Sequence, residues 1–373
     1  MNFLKLSDVC MINMGQSPDS STYNTCQEGI PFFQGNADFG ERFPVPRIWC
    51  NAPTKIAHEK DILISVRAPI GAINYASGTC CIGRGLAAIT PDQNKASSDF
   101  IFWFLKSKNI ELNSKGTGST FKAINRNTLE SLAVPELSFE EQFKCARKLE
   151  TINRVVQARK KELEKLDNLI KARFVEMFDS FDLAKQKSGW VPISQVGTVV
   201  GGSTPKTTVT EYWNGDYRWI SPAELKHDSG VIFDSIKKIT RAGIDSCSLQ
   251  ELPIGTVILS SRAPIGKVAI AGTTMYCNQG FKNIICGNRV IPRYLYSLLL
   301  FNTEYLNSLG RGATFKELSK SIVESIRIPL PEIKLQMQFE EFCKQVDKSK
   351  VAVQKALDKA QLLFDSLMQE YFG

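Results

Sequence analysis

The chain has 373 residues, is 43% hydrophobic and 23% charged, and carries a formal net charge of +8. This composition excludes a disordered or low-complexity chain, and the length fits two domains or one large one. Because the sequence has no apolar run of about 18 residues and its first residues lack the apolar core of a signal peptide, we expect a cytoplasmic protein without a membrane span.

Residues 1–137 predict an α/β domain, because short apolar runs alternate with glycine and proline turns. In chain order the predicted elements are a turn at Gly15–Pro18, a buried strand at Asp61–Val66, a helix containing Phe100–Leu105 and capped by Asp99, a glycine-rich loop at Lys115–Lys122 and a closing strand at Leu132–Pro135.

Residues 138–182 and 333–373 each predict a long helix with apolar side chains spaced alternately by three and four, which is the pattern of a coiled-coil seam. Either helix alone would expose a long apolar stripe, so we expect the two to pack against each other. The seam positions are Leu149, Ile152, Val156, Arg159, Leu163, Leu166, Ile170, Arg173 and Met177, and then Leu335, Phe339, Phe342, Val346, Ser349, Val353, Ala356, Ala360, Leu363 and Leu367.

Residues 190–332 repeat the first domain about 190 positions later. Four matches in one order predict two equivalent domains whose loops differ in length. The matched pairs are Gly15–Pro18 with Gly202–Pro205, Ser65–Gly71 with Ser260–Gly266, Phe100–Leu105 with Tyr294–Leu299, and Lys115–Lys122 with Leu309–Lys316.

The sequence favours a chain without covalent chemistry of its own. Its ten cysteines are scattered without a Cys-x-x-Cys pair, and its two histidines lack spaced partners, so no metal site is predicted. The segment Gly201–Thr207 lacks the Gly-Lys-Ser/Thr spacing of a phosphate loop. The modest positive charge fits a basic nucleic-acid-binding face and fits a solvated surface equally well.

Two α/β domains, each followed by a long helix, resemble the specificity (S) subunit of type I restriction–modification systems. The resemblance covers essentially the whole chain, and the second copy departs from the first at Cys277–Lys282. It rests on the order of Leu4–Val9, Gly15–Pro18, Ser65–Gly71, Gly83–Ile89, Gly116–Phe121, Val134–Pro135 and Glu141–Gln142 before the long helix.

The resemblance implies an α+β fold, with two pseudo-symmetric α/β target recognition domains separated by a long antiparallel two-helix coiled coil. Each domain would read one half of an asymmetric bipartite site on double-stranded DNA. The helices would set the spacing and dock two methyltransferase (M) subunits, which restriction (R) subunits can join. S-adenosylmethionine and ATP would be used by those partners, and this chain would hold no cofactor and catalyse no reaction.

Polar and basic residues on the repeated loops are the candidates for DNA contact. Arg67 and Arg262 are identical in the two copies, which favours a phosphate contact or a structural ion pair over base reading. Arg84 and Lys282 lie where the copies diverge and are candidates for base selectivity. The first turn of each copy would let backbone N–H groups approach phosphate, or would simply begin the domain. The candidate set is Gln16, Ser17, Arg67, Arg84, Lys115, Thr117, Ser119, Lys122, Ser203, Thr204, Lys206, Arg262, Lys282, Arg311, Thr314 and Lys316.

Apolar residues near the helix ends exceed what the seam needs. They would leave a face for the methyltransferase subunit or would pack against the chain's own domains. These candidates are Phe174, Met177, Phe178, Phe364, Leu367, Tyr371 and Phe372.

Three other interpretations stay open at this point. The chain could be the equivalent subunit of a fused restriction–methylation enzyme, a coiled-coil scaffold whose repeated domains bind proteins, or an enzyme of an unfamiliar kind. Binding to random duplex DNA with a steep salt dependence would favour the specificity subunit over the scaffold.

Overall fold

The computed structural model describes residues 2–118, 122–179, 181–226, 228–262, 264–311 and 316–373. The chain forms two compact units, the first made of Met1–Lys160 and Gln354–Gly373 and the second of Lys161–Val353. Each unit therefore contains one α/β domain and a segment of each long helix.

In the first unit, a sheet in the order β2 (Cys10–Met14), β10 (Leu86–Pro91), β7 (Ile62–Ser65) and β8 (Ile73–Tyr75) forms the frame. The buried strand β7 pairs with β10, which also pairs with β2. The strand β10 therefore has a hydrogen-bonded neighbour on each side. The strands described here are β1 (Phe3–Lys5), β2 (Cys10–Met14), β3 (Tyr23–Asn24), β4 (Ile30–Phe33), β5 (Trp49–Cys50), β6 (Ile56–Ala57), β7 (Ile62–Ser65), β8 (Ile73–Tyr75), β9 (Cys80–Ile82), β10 (Leu86–Pro91) and β11 (Ala133–Pro135).

The helices of this domain are α1 (Leu6–Val9), α2 (Ser98–Ser107), α3 (Asn109–Lys115) and α4 (Arg126–Glu130). The predicted cap of α2 was wrong. The side chain of Ser97 accepts the hydrogen bond from the Phe100 backbone N–H at 3.2 Å, and Asp99 lies in the first turn. A serine hydroxyl one residue before the helix can reach this N–H, whereas a residue already inside the helix cannot cap it.

The second unit repeats the frame as β13 (Gly197–Gly201), β20 (Lys282–Cys286), β17 (Val257–Leu259) and β18 (Val268–Ala271), and adds β15 (Asp228–Ile232) beside β18. The described elements are β12 (Val191–Pro192), β13 (Gly197–Gly201), β14 (Trp213–Ile220), β15 (Asp228–Ile232), β16 (Lys237–Ile239), α6 (Arg241–Ser246), β17 (Val257–Leu259), β18 (Val268–Ala271), β19 (Tyr276–Cys277), β20 (Lys282–Cys286), α7 (Pro292–Phe301), α8 (Thr303–Leu309), α9 (Lys320–Ser325) and β21 (Arg327–Ile328).

A second sheet differs between the units. Its order is β3-β5-β4-β9-β6 in the first unit and β16-β14-β19 in the second. Both versions keep one parallel pair, β4 with β9 and β14 with β19. The two domains therefore share a frame and one strand pair, and differ in the segment between the first turn and the central strand of the frame.

A buried glutamine joins each domain to its long helix. The Gln142 side chain accepts from the Ser97 N–H at 2.9 Å and donates to the backbone oxygens of Lys95 and Leu137. Gln336 makes the equivalent three bonds in the second unit, accepting from the Ile291 N–H at 2.8 Å. Three bonds from one side chain fix the direction in which each helix leaves its domain.

The long helices are α5 (Phe139–Phe178) and α10 (Ile333–Phe372), each of 40 residues and about 60 Å long. In the second unit they run antiparallel, because Asp167 pairs with Lys350 while the Phe174 and Phe339 rings lie 5.2 Å apart. In the first unit the beginning of α5 packs on the end of α10, where Lys148 Nζ donates to Tyr371 Oη at 3.2 Å. The expected fold class, two α/β domains with an antiparallel helix pair, is confirmed.

The seam departs from the predicted heptad near the end of α10. Leu363 is 51% exposed, whereas Phe364 is buried and its ring lies 5.6 Å from that of Trp103. The seam shifts by one residue because this end of α10 packs against the first domain as well as against α5. A heptad describes two helices that contact only each other.

Candidate nucleic-acid interface

Four loops that lie far apart in the sequence meet in the first unit. The Arg84 N–H donates to Ser17 Oγ at 3.3 Å, and the Val66 N–H donates to the Gly85 oxygen at 2.9 Å. The Ala68 N–H reaches the Lys122 oxygen at 3.0 Å. We call the segments 15–18, 66–71, 83–85 and 115–118 together with 122–123 the first loop cluster.

The second unit builds the same arrangement. The Ser203 N–H donates to the Cys277 oxygen at 3.0 Å, and Thr204 Oγ1 bonds the Gln279 side chain. The Ser261 backbone links two further loops. Its N–H donates to the Gly280 oxygen and its carbonyl oxygen accepts from the Leu318 N–H, both at 2.8 Å. The segments 202–206, 260–262, 277–282, 310–311 and 316–318 form the second loop cluster.

Glycine in these loops serves close packing. A side chain on Gly116 would place its Cβ 2.7 Å from Ile70 Cδ1, and one on Gly310 would place its Cβ 2.7 Å from Ile265 Cδ1. At Gly15 a Cβ would lie 2.2 Å from the Gly83 oxygen, and the Gly15 N–H already donates to the Leu86 oxygen. Because the Gly15 N–H is used inside the fold, it is not free for phosphate, which favours the other expectation for this turn, that it begins the domain.

The first loop cluster carries exposed cations. Arg67, Arg84 and Lys122 are exposed, and within the described residues none of them forms an ion pair with a carboxylate. Lys115 is paired with Glu111 at 2.6 Å, one helical turn away. An exposed cation that has no protein partner is available to replace the counterions of a DNA phosphate.

Cations of the second loop cluster are partly neutralised. Arg262 Nε and Lys282 Nζ lie 3.2 and 3.4 Å from the two oxygens of Glu317. For Arg262 the structure thus forms the ion pair that was one of its two predicted roles. The Lys282 side chain is only 16% exposed, so the expectation that it selects bases is corrected. Lys206, Arg311 and Lys316 are exposed and unpaired among the described residues.

The uncharged candidates divide by exposure. Gln16 and Thr117 are exposed, whereas Ser17, Ser203 and Thr204 are half-buried. The Ser203 oxygen accepts from the Trp219 indole at 3.1 Å. Two further candidates, Ser119 and Thr314, lie outside the described residues.

Sequence reasoning missed Glu317 and Gln279. Glu317 holds the two cations, and the first copy has Ala123 at its position. Gln279 is exposed on the loop that bonds Thr204. An alignment of the two copies shows both residues as differences, but a difference alone does not indicate a contact.

Most of the predicted partner residues face their own unit. Phe174 is fully buried, and the Phe178 ring lies 4.8 Å from that of Tyr294. Phe364 and Phe372 are buried around the helix α2. The structure therefore corrects the docking role of the buried residues in favour of the alternative, packing against the chain's own domains. Met177, Leu367 and Tyr371 are half-buried.

Other apolar side chains of the long helices are exposed at equivalent positions. Phe139 and Phe143 are 46% and 63% exposed at the beginning of α5, and Ile333 and Met337 are 40% and 56% exposed at the beginning of α10. We call the two pairs the helix-start patches. The sequence carried this signal, since each pair lies outside the predicted seam at the same place in the repeat.

Two observations concern metal binding and thiol chemistry. The described residues hold no cluster of three histidine, cysteine or acidic side chains that could bind a metal ion. Burial raises the pKa of the Cys277 thiol beneath the second loop cluster to about 12, so the thiol stays protonated and is a poor nucleophile. In the same part of the chain no helix is long and apolar enough to span a membrane.

Comparison with known proteins identifies the family. The model of the type I restriction modification DNA specificity domain matches residues 1–168 and again residues 187–362. The chain therefore belongs to this family of DNA specificity domains and contains two copies of the domain. The resemblance seen in the sequence is confirmed.

Two relatives come from Methanocaldococcus jannaschii. The putative type I restriction enzyme MjaX specificity subunit is 43% identical over 156 residues, which are 42% of this chain and 37% of the relative. The type I restriction enzyme MjaIX specificity subunit is 41% identical over 168 residues, 44% of this chain and 39% of the relative. The matched region spans less than half the length of either relative.

Two solved structures share the fold along the whole chain. The S subunit of a type I restriction–modification system from M. genitalium superposes with a TM-score of 0.63 at 13% identity, covering 100% of this chain and 96% of that one. A chain from a study of complex assembly and conformational transition of the type I R-M system gives a TM-score of 0.57 at 18% identity, covering 100% and 97%.

Proposed function

We propose that this chain is the specificity subunit of a type I restriction–modification complex, and that each loop cluster reads one half of a bipartite site on double-stranded DNA. The observation that carries the proposal is the presence of two specificity domains, each with four loops drawn together and with exposed, unpaired cations among them. Cations position a protein on phosphate, while neighbouring polar groups reach the base edges.

The two half-sites should differ in sequence. The shared frame holds the loops in the same way in both units, while the second sheet and the loop residues differ. Equivalent frames suit two readers of one duplex, and unequal loops suit an asymmetric site. In this proposal the antiparallel helices set the spacing, and the buried Gln142 and Gln336 fix how each domain is attached to its helix.

In this proposal the partners are two methyltransferase subunits, with restriction subunits as further members of the complex. The helix-start patches support two copies of one partner, because equivalent positions of both units expose similar apolar pairs. Methylation with S-adenosylmethionine and the use of ATP would belong to those partners. This chain would act without a cofactor or a reaction of its own, in the cytoplasm.

Methylation mapping tests the proposal. The chain is expressed with the methyltransferase encoded beside it in a host lacking other adenine methylation, and modified bases are located across the genome. We expect one bipartite, asymmetric site with two specified halves and an unspecified spacer. A methyltransferase that modifies the same site without this chain would contradict the proposal.

A protein-binding scaffold is the second candidate function. The exposed apolar helix-start patches favour it, because they are suited to binding proteins whether or not the chain binds DNA. The purified chain separates the two. A specificity subunit binds random duplex DNA, and log K falls with log salt at about 0.9 per phosphate contact. A scaffold shows no such dependence. The equivalent subunit of a fused restriction–methylation enzyme would be recognised from its neighbouring reading frames.

A further inference from the structure

One acidic side chain lies within the second loop cluster. The Glu317 carboxylate forms an ion pair with Arg262 Nε at 3.2 Å and accepts a hydrogen bond from Lys282 Nζ at 3.4 Å. The Glu317 backbone is bonded to Arg311 in both directions, with N–H to oxygen distances of 2.9 and 3.1 Å. The carboxylate is thus held by its own backbone, and only about a third of its side chain is exposed.

The first loop cluster has the same backbone without the carboxylate. The backbones of Ala123 and Thr117 exchange two hydrogen bonds, at 2.9 and 3.0 Å. Ala123 also forms a backbone β-bridge with Arg67, as Glu317 does with Arg262. The position equivalent to Lys282 is Ala87, inside β10. Arg67 is therefore exposed and unpaired among the described residues, while its counterpart Arg262 is held.

We propose that Glu317 weakens the attraction of the second loop cluster to phosphate by holding Arg262 and Lys282, a restraint that the first loop cluster lacks at Ala123. A cation that already pairs with a carboxylate must give up that pair to bind a phosphate, and the carboxylate itself repels the phosphate. This inference rests on the proposed reading of DNA by both loop clusters.

Binding of the full chain to a random-sequence duplex across a salt series tests the inference. Glu317→Gln keeps the shape of the side chain and removes its charge. We expect tighter binding by about three- to tenfold at low salt, and a plot of log K against log salt that is steeper by about one to two units. The matched control is Glu340→Gln, which removes the same charge from a pair with Lys344 at 2.9 Å on α10.

Ala123→Glu makes the reverse change in the first unit. It places a carboxylate beside Arg67, so we expect weaker binding and a slope shallower by about one unit. Thermal unfolding of each variant shows whether the fold is kept. Because this variant lies in the other unit, the test stands even if Glu317→Gln fails to fold.

The outcomes are distinguishable. If the unmodified chain shows no salt-dependent binding, the proposed function fails and takes the inference with it. If the unmodified chain binds but Glu317→Gln has the slope of Glu340→Gln, only the inference is overturned. A gain limited to certain sequences would also overturn it, because Glu317 would then contact a base and not restrain the neighbouring cations.

Discussion

The two units share the frame, and they differ in the residues of their loops and in the buried side chains next to those loops. Where the loops join the frame, the first unit has Val66 in its loop cluster and Ala88 in β10, and the second has Ser261 in its loop cluster and Asn283 in β20. All four residues are buried. Ser261 Oγ and Asn283 Oδ1 lack hydrogen-bond partners among the described residues. The same backbone arrangement therefore forms around a pair of apolar side chains in the first unit and a pair of polar side chains in the second.

Exchange of one domain is the strongest test of this modularity. When residues 1–137 are replaced by the matching region of a relative with a different target, we expect one half of the methylated site to change completely and the other half to stay. The reason is that the loop contacts described here close within each unit. Methylation mapping provides the readout, and a change in both halves would contradict independent reading.

Lengthening both helices tests whether they set the spacing. One heptad is inserted between Lys160 and Lys161 and another between Val353 and Gln354, where the division between the units leaves both cores intact. Each insertion adds about 10 Å of helix, so we expect the unspecified spacer to grow by about three base pairs or the methylation to be lost. An unchanged spacer in an active complex would show that the helices do not set the spacing between the half-sites.

The helix-start patches offer a comparison between equivalent surfaces. Phe143→Glu and Met337→Glu each place a charge in an apolar interface, and a charge buried without a partner weakens binding strongly. We expect either variant to bind one methyltransferase subunit and the double variant to bind none, measured as the mass of the complex. Val155→Glu, at an exposed apolar position further along α5, is the control that should keep both subunits.

Much of this architecture could be predicted from the sequence because the sequence contains two copies of the same domain and helix. The order of the matched segments gave the two domains, and the heptads gave the helices. The second sheets were not predicted, because strands such as Tyr23–Asn24 and Trp49–Cys50 have only two residues and show no periodicity. The ion pairs of Glu317 could not be predicted, because Arg262 and Lys282 lie far from it in the sequence and come close to it only in the folded chain.

The glutamine joints should be equally important in the two units. Gln142→Ala and Gln336→Ala each leave three backbone groups without their partner, and we expect either to lower the free energy of unfolding of its unit by about 3 kcal/mol. The control is Gln345→Ala, an exposed position on α10. Thermal unfolding measures the effect, and a loss confined to one unit would show that the joint is not equivalent in both.

The smallest expected effect concerns the buried residues Ser261 and Val66, which occupy equivalent places in the two loop clusters. Ser261→Ala removes a buried hydroxyl that has no partner among the described residues, so we expect the free energy of unfolding of the second unit to rise by up to about 1 kcal/mol. Val66→Ser makes the opposite change at the equivalent site of the first unit. It removes apolar contacts and buries a hydroxyl, so it should lower the stability by about 2 kcal/mol.

Denaturant unfolding of both variants, compared with the unmodified chain, checks the signs. If Ser261→Ala destabilises its unit, the hydroxyl contributes to the stability of the second loop cluster. If it stabilises the unit, the unpaired hydroxyl costs the second unit stability, as expected.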